Sequence, residues 1–127
     1  MDAVGAALAV PGKGLAGSVG RSSRRQITIL EREAWTRCVA SVGGNADPRG
    51  RRANVLVSGV SLAHMRGRVL RIGSVRIAVG GETTPCERMD EVLPGLRAAM
   101  KADWAGGVFG QILDEGTIAV GDEVAFE

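Results

Sequence analysis

Cys86 stands directly after Pro85 and directly before a charged run, in the stretch ETTPCERMDEV at residues 82–92. Thr84, Pro85, Cys86 and Glu87 have the types and spacing of a helix start. Threonine and glutamate three apart form a capping box, and proline suits the first helical position. A thiol on that first turn faces unpaired backbone N–H groups, whose partial positive charge favours the thiolate that acts as nucleophile or metal ligand. Arg88 adds positive charge while Glu87 and Asp90 oppose it, so the pattern predicts a bias toward ionisation and no particular value. Two arginine clusters can supply an anion's partners. GRSSRRQ carries Arg21, Arg24 and Arg25, and RGRRAN carries Arg49, Arg51, Arg52 and Asn54; the planar guanidinium fork matches phosphate well. Thiol and clusters together predict a phosphorylated small-molecule anion presented to sulfur. GKGLAG, residues 12–17, has the glycines to wrap a phosphate in backbone amides but is not a full nucleotide motif.

The elements that must position these groups follow from periodicity. RQITIL alternates from Arg25 to Leu30 and predicts a strand. EREAWTRCVASV then places Ala34, Trp35, Cys38, Val39 and Val42 on one helical face, which Gly43 and Gly44 end. Cys38 lies on that buried stripe as a small hydrophobe. GNADPRGRR is a loop, and NVLVS after it is a strand that brings Arg51, Arg52 and Asn54 to one strand end. RVLRIGSVRIAVGG predicts two strands joined by a tight turn at Gly73-Ser74. Pro94-Gly95 divides the helical region into Cys86 to Val92 and Pro94 to Lys101, with Met89, Val92, Leu93, Leu96 and Met100 inward. GGVFGQIL, GTIAV and EVAFE are three more short strands, and Asp122 is turn chemistry. Many short strands and few helices predict a mainly β fold, closed or nearly closed as a β-barrel.

Bulk properties bound the function. The 127 residues suit one domain, residues 1–127, with one core and one site. Sixteen Lys and Arg against fourteen Asp and Glu leave a net charge of +2, and only 3% of residues are aromatic; neither suits nucleic acid. No apolar run is long enough to span a membrane. Two cysteines make no disulfide framework, and the start lacks the basic residues and long apolar run of a secretory leader, so a reducing cytoplasm is expected. His64, the single histidine, has no second imidazole to complete a zinc site and is expected in a loop. Trp104 is expected to pack at the barrel rim.

The ordered set GKGLAG, RRQITIL, RRANVLVSGVSL, GRVLRIGSVRIAV, PCERMDEVLPGL, GGVFGQIL and GTIAVGDEV resembles the MOSC domain, a family named for the C-terminal domain of molybdenum cofactor sulfurase. The resemblance implies a barrel akin to the pyruvate-kinase β-barrel domain, a signature cysteine that carries sulfur or ligates molybdenum, and basic residues that hold a phosphorylated pterin. Those roles fall on Cys86 and on Arg51, Arg52 and Asn54; Arg24 and Arg25 complete the expected cofactor-binding set. The implied function is persulfide carriage or binding of the molybdenum cofactor, molybdopterin. Its sulfurtransferase form needs a sulfur donor such as a pyridoxal-phosphate desulfurase. Its oxidoreductase form, acting on N-hydroxylated compounds, needs an electron-transfer partner, since two cysteines cannot hold an iron–sulfur cluster. The alternative is a passive binding module for a phosphorylated small molecule. Ser18 stands where relatives commonly carry an acidic residue, and longer relatives carry further β structure upstream.

Overall fold

The computed structural model describes residues 6–11, 14–15, 26–46, 55–85, 87–101 and 104–127. Among the described residues nine strands and three helices follow one another: β1 Ala6–Val10, β2 Gly14–Leu15, β3 Ile27–Glu31, α1 Arg32–Ser41, β4 Val55–Val57, β5 Val69–Ile72, β6 Val75–Glu82, α2 Arg88–Val92, α3 Leu96–Ala99, β7 Val108–Ile112, β8 Gly116–Ala119 and β9 Val124–Phe126. Six strands form one sheet in the order β4-β3-β7-β6-β5-β9, curling into a nearly closed barrel, and β2-β1-β8 form a second. The mainly β, barrel-like expectation holds.

Alternation decides which face of each strand turns inward. Along β6, Val75, Ile77, Val79 and Gly81 are buried while Arg76 and Gly80 face out. With Ile27 and Ile29 of β3, Leu70 and Ile72 of β5, and Val108 and Ile112 of β7, they fill the barrel. The β5–β6 hairpin turns as expected at Gly73, whose φ of +59° at the first central position suits a type II′ turn. Asp122 also acts as expected, its Oδ2 accepting the Ala119 N–H at 2.9 Å.

A second apolar cluster lies outside the barrel. Leu30 points away from the barrel's interior cluster to meet Ala34, Trp35, Cys38 and Val39 of α1, Met89 of α2, Leu96 of α3 and Met100. The buried face of α1 is the one its periodicity predicts, and the Trp35 indole N–H donates to the Ala46 carbonyl at 3.0 Å. Of the five residues expected inward on the later helices, Met89, Leu96 and Met100 are buried, and Val92 and Leu93 pack part-buried against them.

Strand pairing goes beyond the sequence reading, which assigned no partners or directions, and the later helices depart from it. β4 runs parallel to β3 in an otherwise antiparallel sheet, and β8 pairs with β1 instead of its chain neighbours. The later helices are also shorter than expected. α2 begins at Arg88, with Glu87 as its N-cap and no side chain capping it. Glu87, expected at the third helical position, is thus the N-cap itself, and Cys86 lies outside the described residues. α2 ends where it should: Leu93 is extended, at φ −148° and ψ 130°, because the following Pro94 excludes the helical conformation.

Candidate functional site

β3, β4 and β6 all point the same way, since β3 is parallel to β4 and both β3 and β6 are antiparallel to β7. Their outgoing ends form one rim, from which the chain continues into α1, into the 58–68 loop, and through Pro85 towards α2. The segment 104–107 returns to that rim before β7.

The chain leading to Cys86 is fastened as it leaves β6. The buried Thr83 donates its backbone N–H to the Gly107 carbonyl at 2.9 Å and its hydroxyl to the Gly106 carbonyl at 2.7 Å. Pro85 is buried as well, and three residues beyond Cys86 the side chain of Met89 sits in the helical cluster.

Cys86, Arg24, Arg25, Arg51, Arg52 and Asn54 lie outside the described residues. Their described neighbours show how the sheet arranges the segments that carry them. Gln26 follows Arg25; it is buried, donates its backbone N–H to the Gly110 carbonyl at 3.1 Å, and accepts the Ile112 N–H on Oε1 at 3.0 Å. Val55 follows Asn54 and pairs with Ile29. The two arginine-bearing segments thus feed the incoming ends of adjacent parallel strands. Only the first of these anchors is remote from the cysteine's. Val55 stands level with Ile29, Val108 and Glu82, one residue short of Thr83 along the strand direction, whereas Gln26 lies three residues before Ile29, roughly 10 Å further down the sheet.

The described guanidinium at the outgoing half of β6 is Arg66, to which nothing in the sequence spacing drew attention. Its Nη2 lies 3.3 Å from the position that a Cβ on Gly81 would take, beside the Phe109 ring at 3.2 Å from the same point. Two residues before Arg66, the His64 ring stands 5.4 Å from that of Trp104, tilted by 56°. His64 is in an exposed loop and Trp104 packs part-buried against the barrel core, as the sequence suggests for each.

The loop bearing His64 and Arg66 is held to the start of α1 by two carboxylates. Glu33 Oε2 accepts the Gly59 N–H at 2.7 Å, and Glu31 Oε1 accepts the Leu62 N–H at 3.1 Å. The Gly59 hydrogen bond, helped by Arg32 and Arg37, holds the Glu33 carboxyl below its ordinary 4.5. A depressed folded value means the contact is fully present above pH 4.5 and is lost as pH falls through the lowered value. An NMR titration is therefore expected to show the Gly59 amide shifting only in that acid range, and Glu33→Ala should remove the transition.

Burial raises the Cys38 thiol above its ordinary value, against a smaller opposing pull from Arg37. Its Sγ is 3.5 Å from the Ala99 carbonyl within the helical cluster, which is the packing role expected of it. Among the described residues no three His, Cys, Asp or Glu gather to hold a bare metal ion, and no helix is long and apolar enough to cross a membrane.

Comparison with solved structures finds the same fold in several chains. The YuaD protein of Bacillus subtilis aligns with a TM-score of 0.80 at 23% identity, covering 95% of this chain and 84% of that one. YiiM of Escherichia coli aligns at 0.75 and 15% identity over 97% of this chain and 62% of its own, and YiiM of Geobacillus stearothermophilus at 0.68 and 19% over 81% and 54%. The chain thus spans less than two thirds of either YiiM protein, and identities this low speak for the fold alone. No curated protein matches. The MOSC domain model matches residues 16–125, nearly the whole chain and including every segment that carried the resemblance except the first residues of GKGLAG. The chain belongs to the MOSC domain family.

Proposed function

We propose that this domain presents the Cys86 sulfur to a phosphorylated pterin of the molybdenum-cofactor type, as a persulfide carrier or as a ligand to the metal. The observation that carries the reading is the family match spanning Pro85-Cys86, supported by the double fastening of Thr83 to Gly106 and Gly107 at the strand end just before the cysteine. A metal already held by the sulfurs of its pterin asks the protein for one soft donor instead of a cage of several side chains, and a cysteine thiolate is such a donor. Bound molybdenum would supply oxygen-atom transfer. As a carrier, the Cys86 thiolate attacks the outer sulfur of a donor persulfide; a new S–S bond forms, the old one breaks, and the donor cysteine leaves as thiolate, with no net oxidation.

Mass spectrometry of freshly purified protein tests the proposal. Sulfane sulfur on the peptide containing Cys86, or molybdopterin released from the protein on denaturation, is the expected result. Protein carrying neither, even after incubation with a cysteine desulfurase and cysteine, would overturn it in favour of a passive binding module.

A further inference from the structure

Four arginines flank or lie on the β5–β6 hairpin, and three of them are engaged. Arg68 donates to the Glu127 carbonyl at 3.3 Å and lies 5.7 Å from the centre of the Phe126 ring, Arg71 pairs with the Glu127 carboxylate at 2.5 Å, and Arg76 with Asp114 at 2.8 Å. Arg66 is exposed, and among the described residues no carboxylate lies within ion-pair distance of it. It is also the arginine whose guanidinium reaches the outgoing half of β6, beside Gly81.

The neighbouring ring pair is unusual in its backbone. His64 and Trp104 are the two non-glycine residues with positive φ among those described, both at +59°. Histidine tolerates the left-handed region better than most residues, whereas a bulky tryptophan there is an outlier. Such conformations persist where the surroundings over-determine them and gather at ligand clamps. The Trp104 carbonyl accepts the Gly107 N–H at 3.0 Å, and Gly107 in turn accepts from Thr83, so the strained turn is joined to the segment leading to Cys86. Trp104 packs part-buried against the barrel core, and the exposed His64 ring meets it at a tilt from the 58–68 loop.

We propose that Arg66, Trp104 and His64 form a receptor for a planar aromatic anion, with the guanidinium taking phosphate or carboxylate oxygens and the ring pair taking the flat face. A bidentate guanidinium contact fixes the anion, and the exposed His64 ring offers a third ring a surface for offset or tilted stacking. The inference rests on the reading of Cys86 only for what reacts with the bound ligand; the binding itself uses described residues alone.

The probe is 1-naphthyl phosphate, followed by the two indole N–H signals in NMR spectra, with Trp104→Phe assigning them. The phosphate ester should move the Trp104 signal and leave that of the buried Trp35 in place. Either half of the probe, 1-naphthol or inorganic phosphate, should bind roughly 10-fold more weakly or less, and Arg66→Gln should weaken the ester about 10-fold while Arg71→Gln leaves it unchanged. A Trp104 signal unmoved at millimolar ester, naphthol binding as tightly as its phosphate, or Arg66→Gln binding as wild type would each overturn the proposal. The Cys86→Ser protein should bind the ester as wild type does. Normal binding by that variant, alongside protein that takes up neither sulfane sulfur nor pterin, would refute the Cys86 reading and leave the receptor standing.

Discussion

Gly107→Ala is expected to lose about 3–5 kcal/mol of stability, seen as a large fall in the midpoint of chemical denaturation. Gly107 has φ +95°, where an L side chain is strained, and a Cβ there would be driven into the carbonyl oxygen of Ile29. That oxygen cannot step aside. Ile29 is the middle residue of β3, paired with Val55 on one side and Val108 on the other, and its side chain is 1% exposed in the barrel core. Gly43→Ala supplies the control: its φ is +72°, but nothing lies within 4 Å of the added methyl, so it should cost only the left-handed backbone penalty of about 1 kcal/mol. Equal losses for the two variants would show that the backbone at Ile29 yields. Because the Gly107 carbonyl receives the Thr83 N–H at 2.9 Å, the variant should also disturb whatever Cys86 does.

Cys86→Ser is expected to abolish sulfur loading altogether, whereas Cys38→Ser should leave it intact. The two thiols differ in setting as well as in position. Cys38 is 6% exposed in the cluster of Leu30, Trp35 and Met89, and burial raises its pKa, so little of it is thiolate at neutral pH and its sulfur has no path to a bulky donor. A serine hydroxyl cannot carry sulfane sulfur at all, so the effect at position 86 is a complete loss and not a fractional one. Persulfide assay or intact-protein mass spectrometry after incubation with a cysteine desulfurase separates the outcomes; equal loading of wild type and Cys86→Ser would refute the carrier form.

Local chemistry was legible wherever it was self-contained. The stripe Ala34, Trp35, Cys38 and Val39 needs only a 3.6-residue period, the Gly73 turn needs only one glycine, and the break before Pro94 needs only the ring of the proline. What failed was any feature settled by a distant partner. Thr84 to Glu87 has the spacing of a cap, yet Thr83 beside it is bound to Gly106 and Gly107 more than twenty residues away, and the helix starts only at Arg88. The parallel β3–β4 pair is likewise invisible to alternation, which is the same for either strand direction.

The site was legible by residue type and much less so by arrangement. The sequence marks Cys86 and the arginines, but only strand register reveals that Val55, next to Asn54, stands level with Glu82 near the anchor of Cys86, while Gln26, next to Arg25, stands at the far end of β3. Arg66 carried no signal of its own, because AHMRGRV resembles any polar loop. Its interest arises from having no carboxylate beside it among the described residues and from its approach to Gly81, both properties of the folded chain.

The division of apolar side chains into two clusters on opposite faces of β3 has a dynamic consequence. Ile27 and Ile29 belong to the barrel, and Leu30 to the helical layer. A protein built in this way can open in stages, with amides of α1 to α3 exchanging with solvent through partial unfolding while the strands stay locked. The sulfur-bearing stretch joins the two layers, held by Thr83 on the barrel side and Met89 on the helical side. Under the proposed carrier role, changes in the helical layer would tune how far that stretch reaches toward a donor without taxing the cohesion of the barrel.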